Sequence, residues 1–126
     1  MNESAIKRII TVTINPTIDT SLRVEHVIAE KKMRSGSPRR EPGGGGINIT
    51  RAMNRLGGRS TAFHTAGGEY GQLLNQLLDT EHINHTIIPI EGLTRENIII
   101  SEEASEQHYR ISVPGPHLLS EEWQNA

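Results

Sequence analysis

Three short runs of β-branched and apolar residues indicate strands. Residues 9–14 form an unbroken run of Ile, Val and Thr without Gly or Pro, which predicts a buried central strand. Residues 61–66 predict a second strand parallel to the first, and residues 86–90 predict a third. Pro89 lies within the last run, so we expect that strand at an edge or end of its sheet, since proline cannot donate a ladder hydrogen bond.

Two stretches between these runs have helical periodicity. The first carries an apolar stripe at i, i+3, i+4 and i+7 that predicts packing on a sheet, and Gly57-Gly58 behind it favours a left-handed C-cap. In the second, the leucines are the predicted core. The first stripe is Ile49, Ala52, Met53 and Leu56, and the second repeat is Tyr70, Leu73, Leu74, Leu77, Leu78 and Glu81. Strands that alternate with helices predict an α/β fold with a parallel sheet.

The chain makes a long detour between its first strand and its first helix. Residues 20–27 alternate apolar and polar side chains, which predicts a strand with one solvated face. A compact strand–helix–strand unit would not need this detour. Further along, residues 97–101 and 109–113 predict a hairpin around a polar turn.

Composition narrows the class of protein. With 126 residues the chain suggests one domain, and 34% hydrophobic against 3% aromatic residues predicts an aliphatic core. The net charge of −2 gives no general attraction to nucleic acid or anionic membranes, and the basic residues 31–40 lack interleaved aromatics. Without cysteine there are no disulfides or thiolate metal sites. Residues 1–8 lack a signal-peptide core and no apolar run approaches membrane-spanning length, so we expect a cytoplasmic protein.

A run of four glycines, residues 43–46, opens the first predicted helix. Such a run lets a ligand approach bare backbone N–H groups at the positive end of the helix dipole, and Asn48 lies within reach in the first turn. Taken alone, the run also fits a flexible linker before an ordinary helix. A phosphate-binding P-loop is excluded because Gly46 is followed by Ile47-Asn48 instead of Lys-Ser/Thr, and the spacing of the dinucleotide fingerprint is absent.

The segment Gly44-Gly45-Gly46-Ile47-Asn48-Ile49-Thr50, followed by Gly57 and Gly67, resembles the sugar-binding motif of the PfkB, or ribokinase-like, carbohydrate kinases. The unbroken glycine run resembles that of the minor, type 2, 6-phosphofructokinases within this family. The resemblance implies a ribokinase-like doubly wound α/β sheet with a small β-sheet lid. It implies lid segments at about residues 20–40 and 95–113.

The resemblance also implies a set of substrate-binding residues. A carboxylate in the Asn-Pro-x-x-Asp position accepts hydrogen bonds from sugar hydroxyls, and the Arg after Thr94 contacts substrate. A lid lysine is expected at the sugar phosphate, from the same subunit or across the dimer. Local sequence alone also fits a turn residue at position 19 and solvated charges at the basic positions. The implied substrate-binding residues are Asp19, Lys32, Gly44, Gly45, Asn48 and Arg95.

The activity implied by the resemblance is ATP-dependent phosphorylation of fructose 6-phosphate, or the similar tagatose 6-phosphate, at the 1-hydroxyl, with ATP and Mg²⁺. The family's Gly-Ala-Gly-Asp motif, which carries the catalytic Asp, is absent from residues 1–126, and a helix beginning at Ser120 has almost no room before Ala126. We therefore expect the N-terminal portion of a kinase domain, inactive alone. The alternatives are a non-catalytic sugar-phosphate-binding or dimerisation module and the remnant of a truncated gene.

The resemblance further implies a homodimer whose lids pack together. Nucleic acid and membrane are not expected partners. His82 and His85 are close in sequence, but no third ligand is near them, so no metal site is expected.

Overall fold

The structure, a computed structural model, describes residues 8–124, so all but the last residue of the polar N-terminal stretch lies outside it. The chain forms seven strands and three helices within these residues, and none of the helices is long and apolar enough to cross a membrane. The elements are β1 Ile10–Thr13, β2 Thr17–Val24, β3 Arg39–Gly43, α1 Gly45–Arg55, β4 Thr61–Ala66, α2 Gly68–Thr80, β5 His85–Pro89, β6 Arg95–Glu102, β7 His108–Ile111 and α3 Ser120–Gln124.

A three-stranded parallel sheet, in the order β1-β4-β5, carries both long helices and confirms the α/β class. β5 lies at one end of this sheet, as Pro89 predicted. The prediction that the first strand is central is wrong within the described residues, because β1 lies at the other end. Helices α1 and α2 cover the face with Thr11 and Thr13, while Ile10 and Val12 on the opposite face are 57% and 58% exposed.

Helix α1 packs on the sheet through a different face from the one its apolar stripe predicted. Its buried residues are Ile47 and Thr50, whereas Ile49 is 55% and Leu56 88% exposed. Thr50 Oγ1 lies 2.7 Å from Thr11 Oγ1 on β1. The predicted stripe left out Ile47, which is fully buried in the core, and Thr50 lies one turn further along the same buried face.

The C-terminus of α1 follows the sequence prediction. Gly57 has a φ of +82°, the left-handed conformation that glycine adopts without strain. Its N–H donates to Asn54 O at 3.2 Å, and the N–H of Gly58 donates to Met53 O at 2.9 Å. These two bonds are the Schellman pair that satisfies the last carbonyls of a helix.

Helix α2 supplies most of the apolar core. Its Leu74 and Leu78 are fully buried, as predicted, and the neighbouring leucines pack partly buried against them. The other members of this cluster are Ile18 of β2, Ile47 of α1 and Ile83 beyond α2. The core therefore joins the helices to β2, which belongs to a second sheet.

This second sheet has four strands in the order β3-β2-β6-β7. β2 pairs antiparallel with β3 and parallel with β6, and β6 and β7 form the predicted hairpin. β3 runs directly into α1 through the glycine loop, residues 43–46. The detour in the sequence thus builds a separate sheet that meets the helical layer at β2 and β3.

A chain of polar side chains links α2 to the parallel sheet. His64 of β4 is fully buried, and its Nε2 lies 2.9 Å from Nδ1 of His85 on β5. His85 Nε2 lies 2.7 Å from Asp79 Oδ1 near the end of α2, and His64 Nδ1 donates to Thr65 O at 3.0 Å. Burial, and secondarily the neighbouring His85, lower the pKa of His64, so the folded chain prefers its neutral form.

The lowered pKa of His64 predicts acid sensitivity. Stability that depends on neutral His64 is complete above the unfolded pKa, about 6.5, and is lost as the pH falls through the lower folded value. We expect the melting temperature to fall between pH 7 and pH 5, and to fall less in His64→Phe than in the parent. The exposed-histidine control His26→Phe should keep the parental slope. Parallel slopes for the parent and His64→Phe would contradict this account.

Candidate functional site

The candidate site lies where the two sheets meet. After β1 the chain turns through residues 14–16 and enters β2. Asp19 on β2 therefore lies two residue pairs away from the pair that contains Gly43, the first residue of the glycine loop. Thr17 pairs with Gly43, and Asp19 pairs with Glu41 on one side and Asn97 on the other. β2 therefore carries its carboxylate beside the entrance to α1.

Gly43 is required by this carboxylate. A Cβ at position 43 would collide with Oδ2 of Asp19 and with the side chain of Thr17. The resemblance implied Gly44 and Gly45 as site residues, but not Gly43. The signal that could have found it is the pairing of an Asn-Pro-x-x-Asp strand with the strand that enters the glycine run.

The remaining glycines shape the start of α1. Gly44 has φ +122° and ψ 147°, a conformation essentially restricted to glycine. A Cβ on Gly46 would press against Thr13 and the carbonyl of Val12, whereas a Cβ on Gly45 would meet no atom within 4 Å. The loop is thus closely packed on its strand side and open above Gly45, where a ligand has room.

The first turn of α1 offers backbone donors. Ile47 N–H donates to Thr13 Oγ1 at 3.1 Å, and Asn48 N–H donates to Gly44 O at 2.8 Å. The earliest N–H groups of a helix have no acceptor within it, and those of Gly45 and Gly46 form no hydrogen bond among the described residues. Two donors at the positive end of the helix dipole therefore remain available beside the exposed Asn48.

Arg95 begins β6, opposite Thr17 of β2. Its guanidinium donates to Asn15 O at 3.2 Å and to Val113 O at 3.0 Å, so it holds the turn after β1 against the segment after β7. Its Nε is one of two buried side-chain polar atoms in residues 8–124 without a hydrogen-bond partner. A buried charged donor without a partner is costly, and an anionic ligand would supply the missing acceptor.

Arg110 is a residue of this surface that the sequence did not predict. Ile99 of β6 pairs with Ser21 of β2 on one side and with Arg110 of β7 on the other. Paired residues share a face of the sheet, and Ser21 lies two residues from Asp19, so Arg110 lies on the same face as Asp19. Its contribution to the pKa of Asp19 supports that placement. A basic residue in a hairpin strand carries no local signal, because only the register shows which face it occupies.

The electrostatics of Asp19 combine burial with two cations. Burial raises the pKa of its carboxyl, as does the charge of Glu41 to a smaller extent. The Thr17 side chain, Arg95 and Arg110 act in the opposite direction without cancelling the effect of burial. The ionised carboxylate is therefore held here at a cost, as is typical of residues placed for a ligand.

Lys32 is placed apart from these residues within one chain. It lies in the exposed connection between β2 and β3, beyond the end of β2 that is opposite the glycine loop. Asp19, the glycine loop, Asn48 and Arg95 thus come together around the junction of the sheets, and Lys32 does not join them. The arrangement offers a carboxylate for hydroxyl groups, backbone donors and two guanidinium groups for an anion.

Comparison with known proteins agrees with this chemistry. Residues 10–125 match the pfkB family carbohydrate kinases. The ATP-dependent 6-phosphofructokinase isozyme 2 of Mycobacterium tuberculosis is 46% identical over 111 residues, which are 88% of this chain and 33% of that protein. The isozyme 2 of Escherichia coli K12 is 38% identical over 117 residues, which are 93% of this chain and 38% of that protein. This chain therefore belongs to the pfkB family of carbohydrate kinases, as the glycine motif predicted.

Solved structures give the same result. The complex of E. coli phosphofructokinase-2 with fructose 6-phosphate superimposes with a TM-score of 0.92 and 38% identity, over 95% of this chain and 40% of that one. The tetrameric inhibited form of the same enzyme superimposes with a TM-score of 0.90 over 95% of this chain. The ribokinase-like fold predicted from the sequence is confirmed. The chain spans between a third and two fifths of the length of these relatives.

Because burial raises the pKa of Asp19, its ionised carboxylate lowers the stability of the folded chain. A carboxyl whose folded pKa lies above its unfolded value favours folding fully only below the unfolded pKa, 3.8, and this contribution is lost as the pH rises through the folded value. Asp19→Asn should therefore raise the melting temperature at pH 7, with the gain shrinking toward pH 3.8. Asp79→Asn, which changes an exposed carboxylate whose Oδ1 lies 2.7 Å from His85 Nε2, should bring no such gain. A lower melting temperature for Asp19→Asn at pH 7 would contradict this reading.

Proposed function

We propose that this chain forms the sugar-phosphate-binding part of an ATP-dependent 6-phosphofructokinase that phosphorylates fructose 6-phosphate at its 1-hydroxyl. The observation that carries the proposal is the placement of Asp19, the glycine loop and Arg95 around one junction. The proposal is also supported by the close similarity between the fold of this chain and that of E. coli phosphofructokinase-2 solved with fructose 6-phosphate.

Each group has a role that follows from its chemistry. Asp19 accepts hydrogen bonds from sugar hydroxyls, and the backbone at Gly44 and Gly45 lies against the sugar together with the Asn48 amide. Arg95 binds the phosphate, because its planar guanidinium can bond two phosphate oxygens at once and its Nε lacks a partner. Arg110 adds a second cation on the same face.

We assign no ATP or Mg²⁺ site to this part of the fold. The described residues contain no group of three or more His, Asp or Glu side chains that could hold a metal ion. The glycine loop lacks the Lys-Ser/Thr with which a P-loop binds phosphates and Mg²⁺. We therefore assign only the sugar side of the reaction to this chain and derive no phosphoryl-transfer step from it.

Calorimetry with fructose 6-phosphate tests the proposal. The chain should bind this sugar phosphate, and Arg95→Ala should weaken binding by about 10- to 100-fold, since a hydrogen bond to a charged group contributes about 1.5–3 kcal/mol. Asn48→Ala should also weaken it, whereas the exposed-arginine control Arg59→Ala should not. A folded sample that gives no heat with fructose 6-phosphate would refute the sugar-phosphate site.

The 126-residue chain should release no ADP from ATP in the presence of fructose 6-phosphate. A release that Asp19→Ala abolishes would show that this chain is catalytic alone. Binding without any release would fit equally a non-catalytic sugar-phosphate-binding module, and Asp19, Asn48 and Arg95 would then serve recognition only.

We further propose that two copies pair through the second sheet, acting as a lid, and that Lys32 reaches the sugar phosphate of the partner copy. Exposed apolar side chains on this sheet and its loop support pairing, Ile111, Ile28 and Met33 among them. A relative at 38% identity was solved as a tetramer. Pairing would also bring Lys32, which lies at the far end of β2 from the glycine loop of its own chain, to the site of the partner copy.

Mixing two defective variants tests this arrangement. Lys32→Ala and Arg95→Ala should each bind fructose 6-phosphate weakly, and an equal mixture should regain tight binding at about a quarter of its sites if subunits pair at random. The reason is that one of the two sites in a mixed dimer keeps both residues. Sedimentation should show a dimer. A mixture no better than its components would place Lys32 outside the partner's site.

A further inference from the structure

One carboxylate, that of Glu96, joins three strands of the second sheet to helix α2. Its Oε1 accepts a hydrogen bond from the Tyr70 hydroxyl of α2 at 3.0 Å. Its Oε2 accepts a hydrogen bond from the buried Thr20 of β2 at 2.5 Å and lies 3.9 Å from Arg40 Nε of β3. The Glu96 side chain is only 21% exposed, so these contacts are partly shielded from water.

The position of Glu96 relates it directly to the proposed site. Successive residues of a strand face opposite sides of a sheet, so Glu96 faces α2 while Arg95 faces the site. On β2, Asp19 likewise faces the site, and the next residue, Thr20, faces α2. The hydrogen bond between Thr20 and Glu96 therefore ties together the two residues that immediately follow the proposed sugar and phosphate ligands.

Two other contacts join the second sheet to α2. Thr94, just before β6, forms two hydrogen bonds of 3.0 Å with Gly67 at the start of α2, and Ile18 of β2 shares an apolar cluster with the leucines of α2. Apolar contacts have no preferred direction, whereas a hydrogen bond is directional and short. The bond from Tyr70 to Glu96 therefore adds a second directional link, one that acts through β6 and its partner strand β2.

We propose that Glu96 and Tyr70 are positioning residues of the sugar-phosphate site. They hold the strands that carry Asp19 and Arg95 in register with the glycine loop on α1. Neither residue touches the sugar phosphate; both act from the opposite face of the sheet. This inference rests on the proposed sugar-phosphate function, because the geometry that they fix is that of its ligands.

The two tyrosines of the chain give a matched pair of variants. Tyr70→Phe removes the one hydroxyl that links α2 to the second sheet through Glu96. Tyr109→Phe is the control, because within residues 8–124 the hydroxyl of Tyr109 forms a single hydrogen bond, to Gln107, two residues away, at 3.4 Å. Tyr70 is 37% and Tyr109 41% exposed, so the two substitutions are similar in their surroundings.

Calorimetry with fructose 6-phosphate and NMR of the free chain provide two separate readouts. Tyr70→Phe should weaken binding about fivefold, the effect of one ordinary hydrogen bond, with little change in melting temperature. Glu96→Gln, which keeps an acceptor, should lose less affinity than Glu96→Ala. Without ligand, Tyr70→Phe should shift the Arg95 Nε–H signal and speed amide exchange in β2 and β6, and Tyr109→Phe should do neither.

The outcomes separate this inference from the function on which it rests. If the parent chain binds fructose 6-phosphate and Tyr70→Phe binds it within the error of Tyr109→Phe, the positioning role is refuted. If the parent does not bind, the proposed function fails, and the Arg95 signal still decides whether Tyr70 and Glu96 set the geometry of β6. An Arg95 signal unchanged in Tyr70→Phe overturns the inference in either case.

Discussion

The close approach of a glycine loop to two strands is the constraint on which the rest of the site depends. At Gly43 the missing side chain makes room for the Asp19 carboxylate, and at Gly46 it lets α1 start against β1. Gly44 adopts a backbone conformation that other residues avoid. The close packing at Gly43 and Gly46 therefore requires glycine at these positions, and it leaves the backbone open above Gly45.

The same junction concentrates charge that the fold alone would not favour. Burial raises the pKa of Asp19, and Arg95 keeps a buried Nε without a partner. Both features oppose stability in the free chain, and the proposed ligand, with its hydroxyls and phosphate, would relieve both. Such opposition between stability and binding is common where a site must be ready before its ligand arrives. The bonds made by Glu96 on the other face of the sheet stabilise this arrangement.

Sequence patterns predicted the helices and strands better than they predicted which face of each element is buried and which residues share that face. The strands other than β3, the leucine core of α2 and the cap at Gly57 follow from local chemistry, and the glycine motif indicated the family. The exposed Ile49 and the buried Thr50 were not predicted, because the buried face of α1 contains Ile47, which the apolar stripe left out, and Thr50 shares that face and contacts Thr11. Arg110 was missed for a related reason, since only the register of β6 with β7 shows which face of the sheet it shares.

An NMR titration of the ¹⁵N-labelled chain with fructose 6-phosphate would test the central claim most directly. The account predicts saturable shifts at the amides of Gly44, Gly45 and Asn48 together with the Arg95 Nε–H signal. Inorganic phosphate should move the arginine signal and leave the glycine loop largely unchanged, because it lacks the sugar. Shifts confined to surface lysines and arginines, or no shift at the glycine loop at saturating fructose 6-phosphate, would contradict the assignment of this junction as a sugar-phosphate site.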